Sequence, residues 1–250
     1  MVPDHIVKEI LKNSQPYPEP RQPTMHLALQ LLNTCEATNI LEAGTTRTQD
    51  EGLATIVFAN FLLYGYQGSN DGRVPAQPSP RGKLWTVDID NTAIRNVEAA
   101  LARLPIDIHC VVSDSVEFIR NFNEKIDLFY LDSLQDHVRD RETMKLVRAG
   151  GREHQLEEAK AAFECGAVHE KTVFLLDDQR VRNFELFNGN DDNGKGILSV
   201  PFLKTKGWSI INESGAQAVM INKEAWDQRL VENMIHYVEG NLINQRPFEW

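Results

Sequence analysis

Cysteine is scarce: three residues, Cys35, Cys110 and Cys165, stand far apart in a chain of 250. An odd, scattered set without a CxxC pair excludes a disulfide framework and carries no zinc or redox signature. Reduced, mostly buried thiols and a cytosolic setting are therefore expected. Long apolar runs are missing too. The most apolar stretch, Ala54 to Tyr66, is too short to span a bilayer and contains Asn60. The first residues, MVPDHIVKEILKN, carry Asp4 and Glu9 inside their apolar pattern, which the core of a secretory signal does not tolerate. Basic residues are outnumbered, with 26 Lys and Arg against 36 Asp and Glu, for a net charge of −10. That balance repels nucleic-acid backbones and anionic membranes, so a small molecule is the expected partner and tRNA or rRNA is demoted. No internal repeat and no long linker divides the chain, which is long enough to bury one large core.

What is present is a regular alternation. Two helical segments come first, near Pro3–Lys12 and Thr24–Ala37, the second with Leu27, Leu31 and Leu32 on one face. Short apolar runs follow at Asn39–Ala43, Leu84–Asp88, Ile106–Val112, Ile126–Asp132 and Thr172–Asp177. Continuous apolarity suits strands covered on both faces, as in parallel sheets. Helices are predicted between them at Gly52–Leu63, Thr92–Leu104, Ser115–Phe122 and Arg152–Cys165, which implies right-handed βαβ units. Trp208–Ile211 and Ala216–Ile221 are strand-like and flank Asn212–Gly215, a good hairpin turn, and a last helix is predicted near Glu224–Glu239. Gly65–Gly82 reads as a long loop, either a lid or disordered. Asn188–Gly196 superficially matches a calcium loop, but Asn193 sits where Gly is needed and no Glu closes it, so a flexible surface turn is expected. The division is N-terminal helices over 1–38 packing on a core of 39–222, with a C-terminal helix and tail over 223–250, all in one domain.

Four of the five runs end at, or one residue before, a carboxylate: Glu42, Asp88, Asp132 and Asp177. In an open α/β sheet the C-terminal strand edge is where ligands bind, so acids gathered there should meet a cation or ligand hydroxyls. Asp88 can accept two hydrogen bonds from a vicinal diol. It also begins a DxD with Asp90, a glycosyltransferase-like signature, although Asp90 is equally placed to cap the next helix. Asp114 either contacts a ligand or N-caps the helix starting at Ser115, and both can hold together.

The run Asn39–Thr48, NILEAGTTRT, resembles motif I of class I S-adenosylmethionine-dependent methyltransferases, in which an acid precedes a glycine turn. Only Gly44 remains of the usual two or three glycines, with Thr45 and Thr46 in the other turn positions, and a strand followed by a glycine turn is also generic. The terminal hairpin is similar to the finish of that family. The resemblance spans about Asn39 to Ile221. It implies a doubly wound, mostly parallel seven-stranded α/β sheet of the Rossmann-like methyltransferase type, closed by an antiparallel hairpin. It further implies a cofactor site of Glu42, Gly44, Thr45, Thr46, Asp88, Ile89, Asp114, Ser115 and Asp132, and a homodimer is common in the family.

Ile126–Asp132 and Thr172–Asp178 resemble the fourth and fifth strands of metal-dependent, catechol O-methyltransferase-like enzymes. The resemblance implies Mg²⁺ held by Asp132, Asp177 and Asp178, lowering the pKa of a bound acceptor hydroxyl. The alternative is that Asp132 contacts only cofactor while the Asp177–Asp178 pair caps the next segment. The family's basic residue is replaced by Gln135, which cannot take a proton. His137 is then the nearest titratable substitute, although a loop histidine is more often merely solvated.

The function this implies is Mg-assisted O-methylation of a small hydroxylated molecule such as a sugar or secondary metabolite. Three alternatives stand beside it. One is an NAD-dependent oxidoreductase, disfavoured by the missing GxGxxG; another is a nucleotide-sugar glycosyltransferase; the third is a methyltransferase-like protein that binds without turnover.

Overall fold

The computed structural model describes residues 22–34, 39–45, 54–64, 82–134, 137–139, 146–148, 150–178, 194–214, 217–238 and 240. Strands β1 (Asn39–Ala43), β2 (Lys83–Asp88), β3 (Asp107–Val112), β4 (Leu128–Leu131), β7 (Val173–Leu176), β8 (Ser209–Ser214) and β9 (Gln217–Ile221) form one seven-stranded sheet, in the order β3-β2-β1-β4-β7-β9-β8. The first five of these pair in parallel, while β9 runs antiparallel between β7 and β8. The chain thus steps outward from β1 to β3, then returns to β4 on the other side of β1. This is the Rossmann-like methyltransferase fold, with its antiparallel hairpin. Its switch in strand order lies between β1 and β4, where a crevice opens beyond the strand ends.

The reason these runs become strands lies in their two-faced burial. Ile40, Leu128, Tyr130, Val173, Leu175, Val219 and Ile221 enter one hydrophobic cluster. Their neighbours Leu41, Ala43, Phe129, Leu131, Phe174, Leu176 and Met220 enter the other. With side chains alternating between faces, only a continuously apolar segment can fill both layers. Helices α1 (Gln22–Thr34), α2 (Ala54–Tyr64), α3 (Asn91–Leu101) and α7 (Gln228–Val238) supply the first cluster. The second is supplied by α4 (Ser115–Arg120), α5 (Gly151–Glu164) and α6 (Gly196–Thr205). The N-terminal helix α1 is locked onto the hairpin through the buried Thr24 hydroxyl, which donates to Gln217 Oε1 at 2.9 Å.

Several expectations need correction. The edge strand β3 is half exposed rather than covered on both faces, since no strand among the described residues pairs beyond it, and there His109 stacks on Trp85 with ring centroids 5.2 Å apart. The two described thiols, Cys110 and Cys165, are half-buried, and partial burial pushes the Cys110 thiol up to about 11. Asn212–Ser214 belong to β8 and not to the turn, with a register shift between Ile210 and Asn212 absorbing the misfit. The last helix is split: Asn222 caps a short 3₁₀ turn at Lys223–Ala225, and α7 restarts beyond Asp227, whose carboxylate accepts from Leu230 N–H at 3.2 Å. A two-stranded antiparallel pair, β5 (His137–Arg139) with β6 (Leu146–Arg148), and helix α6 were not foreseen from the sequence pattern. The helix expected at Pro3–Lys12 lies outside the described residues, as does the Gly65–Gly82 loop apart from Gly82. No described helix is long and apolar enough to cross a membrane.

Candidate functional site

The C-terminal ends of β1, β2 and β4 meet around Gly44. Its backbone has φ of +90°, and its N–H donates to Val87 O at 2.8 Å. A Cβ on residue 44 would stand 2.5 Å from Asp132 O and 2.7 Å from Ser133 Cα. Only glycine lets the β1 turn pass this close to the chain leaving β4. The next N–H, of Thr45, donates to Asp88 Oδ2 at 3.1 Å, while Asp88 Oδ1 accepts from Asp90 N–H at 2.8 Å. Asp88 therefore ties the β1 turn to the end of β2.

Beside this knot lies a pocket of about 160 Å³ lined by Asp88, Ile89, Asp114, Ser115, Ser133 and His154 together with Val87, Ser113 and Leu134. Asp88 is 3% exposed, whereas Ile89 is 67% exposed and gives the mouth an apolar platform. Asp114 does two jobs. Its carboxylate caps α4 by accepting from Glu117 N–H at 2.9 Å, and it also forms part of the pocket wall. The Asp90 carboxylate accepts from Thr92 and Ala93 N–H and caps α3, so the helix-cap reading of the DxD is the one realised.

A polar cluster that sequence reasoning missed closes the pocket from α5. Ser115 Oγ donates to Glu158 Oε1 at 2.5 Å, and Ser133 Oγ donates to the same oxygen. His154 Nε2 sits 2.9 Å from Ser115 Oγ and 3.4 Å from Glu158. Its hydrogen bond to Glu158 holds the imidazole above the ordinary histidine value, with burial opposing. The signal was there in the spacing, since residues 154 and 158 are one helical turn apart on the face turned to the sheet edge. Gln155 is also on that side, donating to Leu131 O at 2.9 Å and Asp177 O at 3.2 Å and accepting from Ser199 Oγ at 2.6 Å.

Glu42 does not reach the rim. It is 1% exposed and lines no part of the pocket. Burial pushes its carboxyl up to about 8, against the Thr55 and Thr86 hydroxyls that pull it down; Asp132 and Asp88 add to the rise. Its Oε2 meets no hydrogen-bond partner among the described residues. Glu42 is therefore not placed against this pocket, and its burial favours the protonated carboxyl. Because the folded-state value lies above the ordinary 4.5, stability due to this group is complete below pH 4.5 and is lost as pH rises toward about 8. Glu42→Gln should therefore match the parent in thermal unfolding at pH 4 and melt higher above pH 8. Parallel pH profiles for the two proteins would refute the assignment.

The acids expected to bind metal surround a lysine. Lys195 Nζ lies 2.6 Å from Asp132 Oδ1 and 3.3 Å from Asp178 Oδ2, with its side chain 2% exposed. Its backbone N–H donates to Asp178 O at 2.6 Å, and Asp178 itself adopts φ of +51°. Burial pulls the ammonium down, but Asp132, Asp178 and Asp177 outweigh it and hold it above the ordinary lysine value. Asp177, 1% exposed, accepts the Tyr130 hydroxyl at 3.0 Å, and Tyr130 reaches Asp132 at 3.3 Å. The stretch expected to be a flexible surface turn thus ends in buried Gly194, Lys195 and Gly196. No group of three or more His, Cys, Asp or Glu side chains among the described residues is arranged to hold a metal ion. Asp132, Asp177 and Asp178 do not fit Mg²⁺, because an ammonium already stands against the oxygens the ion would need. Thr46, Gln135 and the side chain of His137 lie outside the described residues, so the expected base is not placed; the His137 backbone belongs to β5.

The residues that do come together suit a nucleoside. A buried carboxylate at the end of β2 beside an exposed apolar platform matches a ribose diol next to a base, and Asp114 with Ser115 supplies polar contacts on the far wall. No family model matches the chain, and neither does any curated protein. Solved structures resemble it in fold. The SAH-bound methyltransferase PaMTH1 of Podospora anserina is 12% identical with a TM-score of 0.47, covering 88% of each chain. The N-methyltransferase NodS of Bradyrhizobium japonicum is 13% identical with a TM-score of 0.39, over 81% of this chain and 93% of its own. Aeropyrum pernix fibrillarin, in complex with natively bound S-adenosyl-L-methionine, is 12% identical with a TM-score of 0.43 over 74% of this chain. The chain spans 65% of that fibrillarin, just under two thirds of its length.

Proposed function

We propose that the chain is an S-adenosylmethionine-dependent methyltransferase that methylates a hydroxyl of a small molecule. The observation that carries the reading is the pocket at the β1–β4 strand ends, where Asp88, Ile89, Asp114 and Ser115 share one wall system beside the glycine turn. When bound, the cofactor supplies an electrophilic sulfonium methyl. Asp88 would hold the ribose hydroxyls with the oxygen lone pairs left beyond its two backbone contacts, and Ile89 would cover the base. Asp114, already fixed by capping α4, would meet the polar edge of the base.

The acids along this edge favour a cationic donor, and the net charge of −10 favours a small acceptor over a polyanion. Activation of the acceptor by Mg²⁺ is not part of the proposal, given Lys195. Calorimetric titration tests it directly: S-adenosylhomocysteine should bind saturably at one site, and NAD⁺ should not compete. Tighter binding of NAD⁺ or a nucleotide sugar, or no saturable binding of S-adenosylhomocysteine, would overturn the reading.

A further inference from the structure

We infer that Lys195 is the built-in cation of this site, standing between Asp132 and Asp178 where a divalent ion would otherwise sit, so that the chain works without a bound metal. Three observations carry this. The ammonium touches oxygens of two carboxylates on different segments, Asp132 after β4 and Asp178 after β7, and a third, Asp177, adds to its field. A magnesium ion needs near-octahedral oxygen ligands at about 2.0–2.1 Å. With Nζ 2.6 Å from Asp132 Oδ1, an ion on that oxygen would have to displace a charge of its own sign.

Second, the lysine is fastened at both ends. Its own N–H holds Asp178 O at 2.6 Å, and it opens α6, whose buried Ser199 is tied to Gln155 on α5. Third, the side chain is 2% exposed, and a lysine is rarely buried so completely unless paired. An ammonium orders the three acids but cannot chelate two acceptor oxygens, so a vicinal diol is not required of the acceptor.

The consequence for the acceptor rests on the methyl-transfer reading; the metal claim does not, and the test keeps them apart. Mn²⁺ is titrated into the full chain and followed by the loss of its free-ion electron paramagnetic resonance signal, with S-adenosylhomocysteine affinity measured on the same samples. The parent should show no saturable site, and chelator dialysis should leave its melting temperature and S-adenosylhomocysteine affinity unchanged. Lys195→Met takes the competing ammonium away from Asp132 and Asp178 and should gain a saturable Mn²⁺ site that the parent lacks, since affinity follows ligand charge. That gain should vanish in the Lys195→Met, Asp132→Asn double variant. A saturable Mn²⁺ site in the parent that Asp132→Asn abolishes would overturn the inference, as would a folded Lys195→Met with no gain. If Lys195→Met does not fold, the parent and Asp132→Asn titrations decide alone. Absent S-adenosylhomocysteine binding with these Mn²⁺ results intact would strike the proposed function and not the lysine.

Discussion

Gly44→Ala should lower unfolding free energy by ~2–5 kcal/mol and abolish S-adenosylhomocysteine binding. Two penalties add. An L-residue at a φ of +90° costs about 1–2 kcal/mol in backbone strain. The steric penalty is the greater, because the new Cβ would lie 2.5 Å from Asp132 O and 2.7 Å from Ser133 Cα, both backbone atoms that no side-chain rotation can clear. Either β1 or β4 must shift at the switch point, and each is paired along its length, to β2 and β7 as well as to the other. Overpacking a tight contact with a shift of backbone costs about 1–3 kcal/mol on its own. Urea unfolding with an unchanged slope reads the sum. A loss below about 1 kcal/mol would mean that the two strand ends are not held this close.

The second large effect is on affinity. Asp88→Asn should weaken S-adenosylhomocysteine binding by about two orders of magnitude, since hydrogen bonds to a charged acceptor are worth roughly 1.5–3 kcal/mol each. It should also lower stability by about 1–3 kcal/mol, because the new amide can accept from only one of Thr45 and Asp90 and presents N–H to the other. Asp178→Asn, placed beyond β7 and away from the pocket wall, should leave cofactor affinity within about twofold of the parent. Calorimetry on both variants checks this division of labour, which equal losses would refute.

The strands were legible because burial on both faces imposes continuous apolarity, and β4 and β7 carry it in full. The hairpin was legible through its turn residues, though its first strand runs three residues further, because Asn212–Ser214 read as a turn while the shifted register lets them pair. Helix α6 was not, since Pro201 stands inside it and glycines precede it, a pattern that argues for a loop. Asp88 and Asp114 stand in the pocket wall, where their positions at strand ends put them. Position does not say which way the last side chains turn, and Glu42 turns inward, away from this pocket. It shares the parity of Ile40, and so faces the layer where Thr55 of α2 closes over it. Lys195 was invisible because its partner Asp132 lies 63 positions away, and only the folded chain brings the end of an apparent surface turn against the end of β4.

The clasp between Asp178 and Lys195 has a consequence for how such a chain can diversify. Asp178 and Lys195 lie apart in the chain but are bridged by a backbone hydrogen bond and an ion pair. With departure and return anchored together, doubling the span between them adds only about 0.6 kcal/mol of closure entropy. The Asp178–Lys195 clasp is thus a closure whose cost depends little on how many residues lie between its two halves.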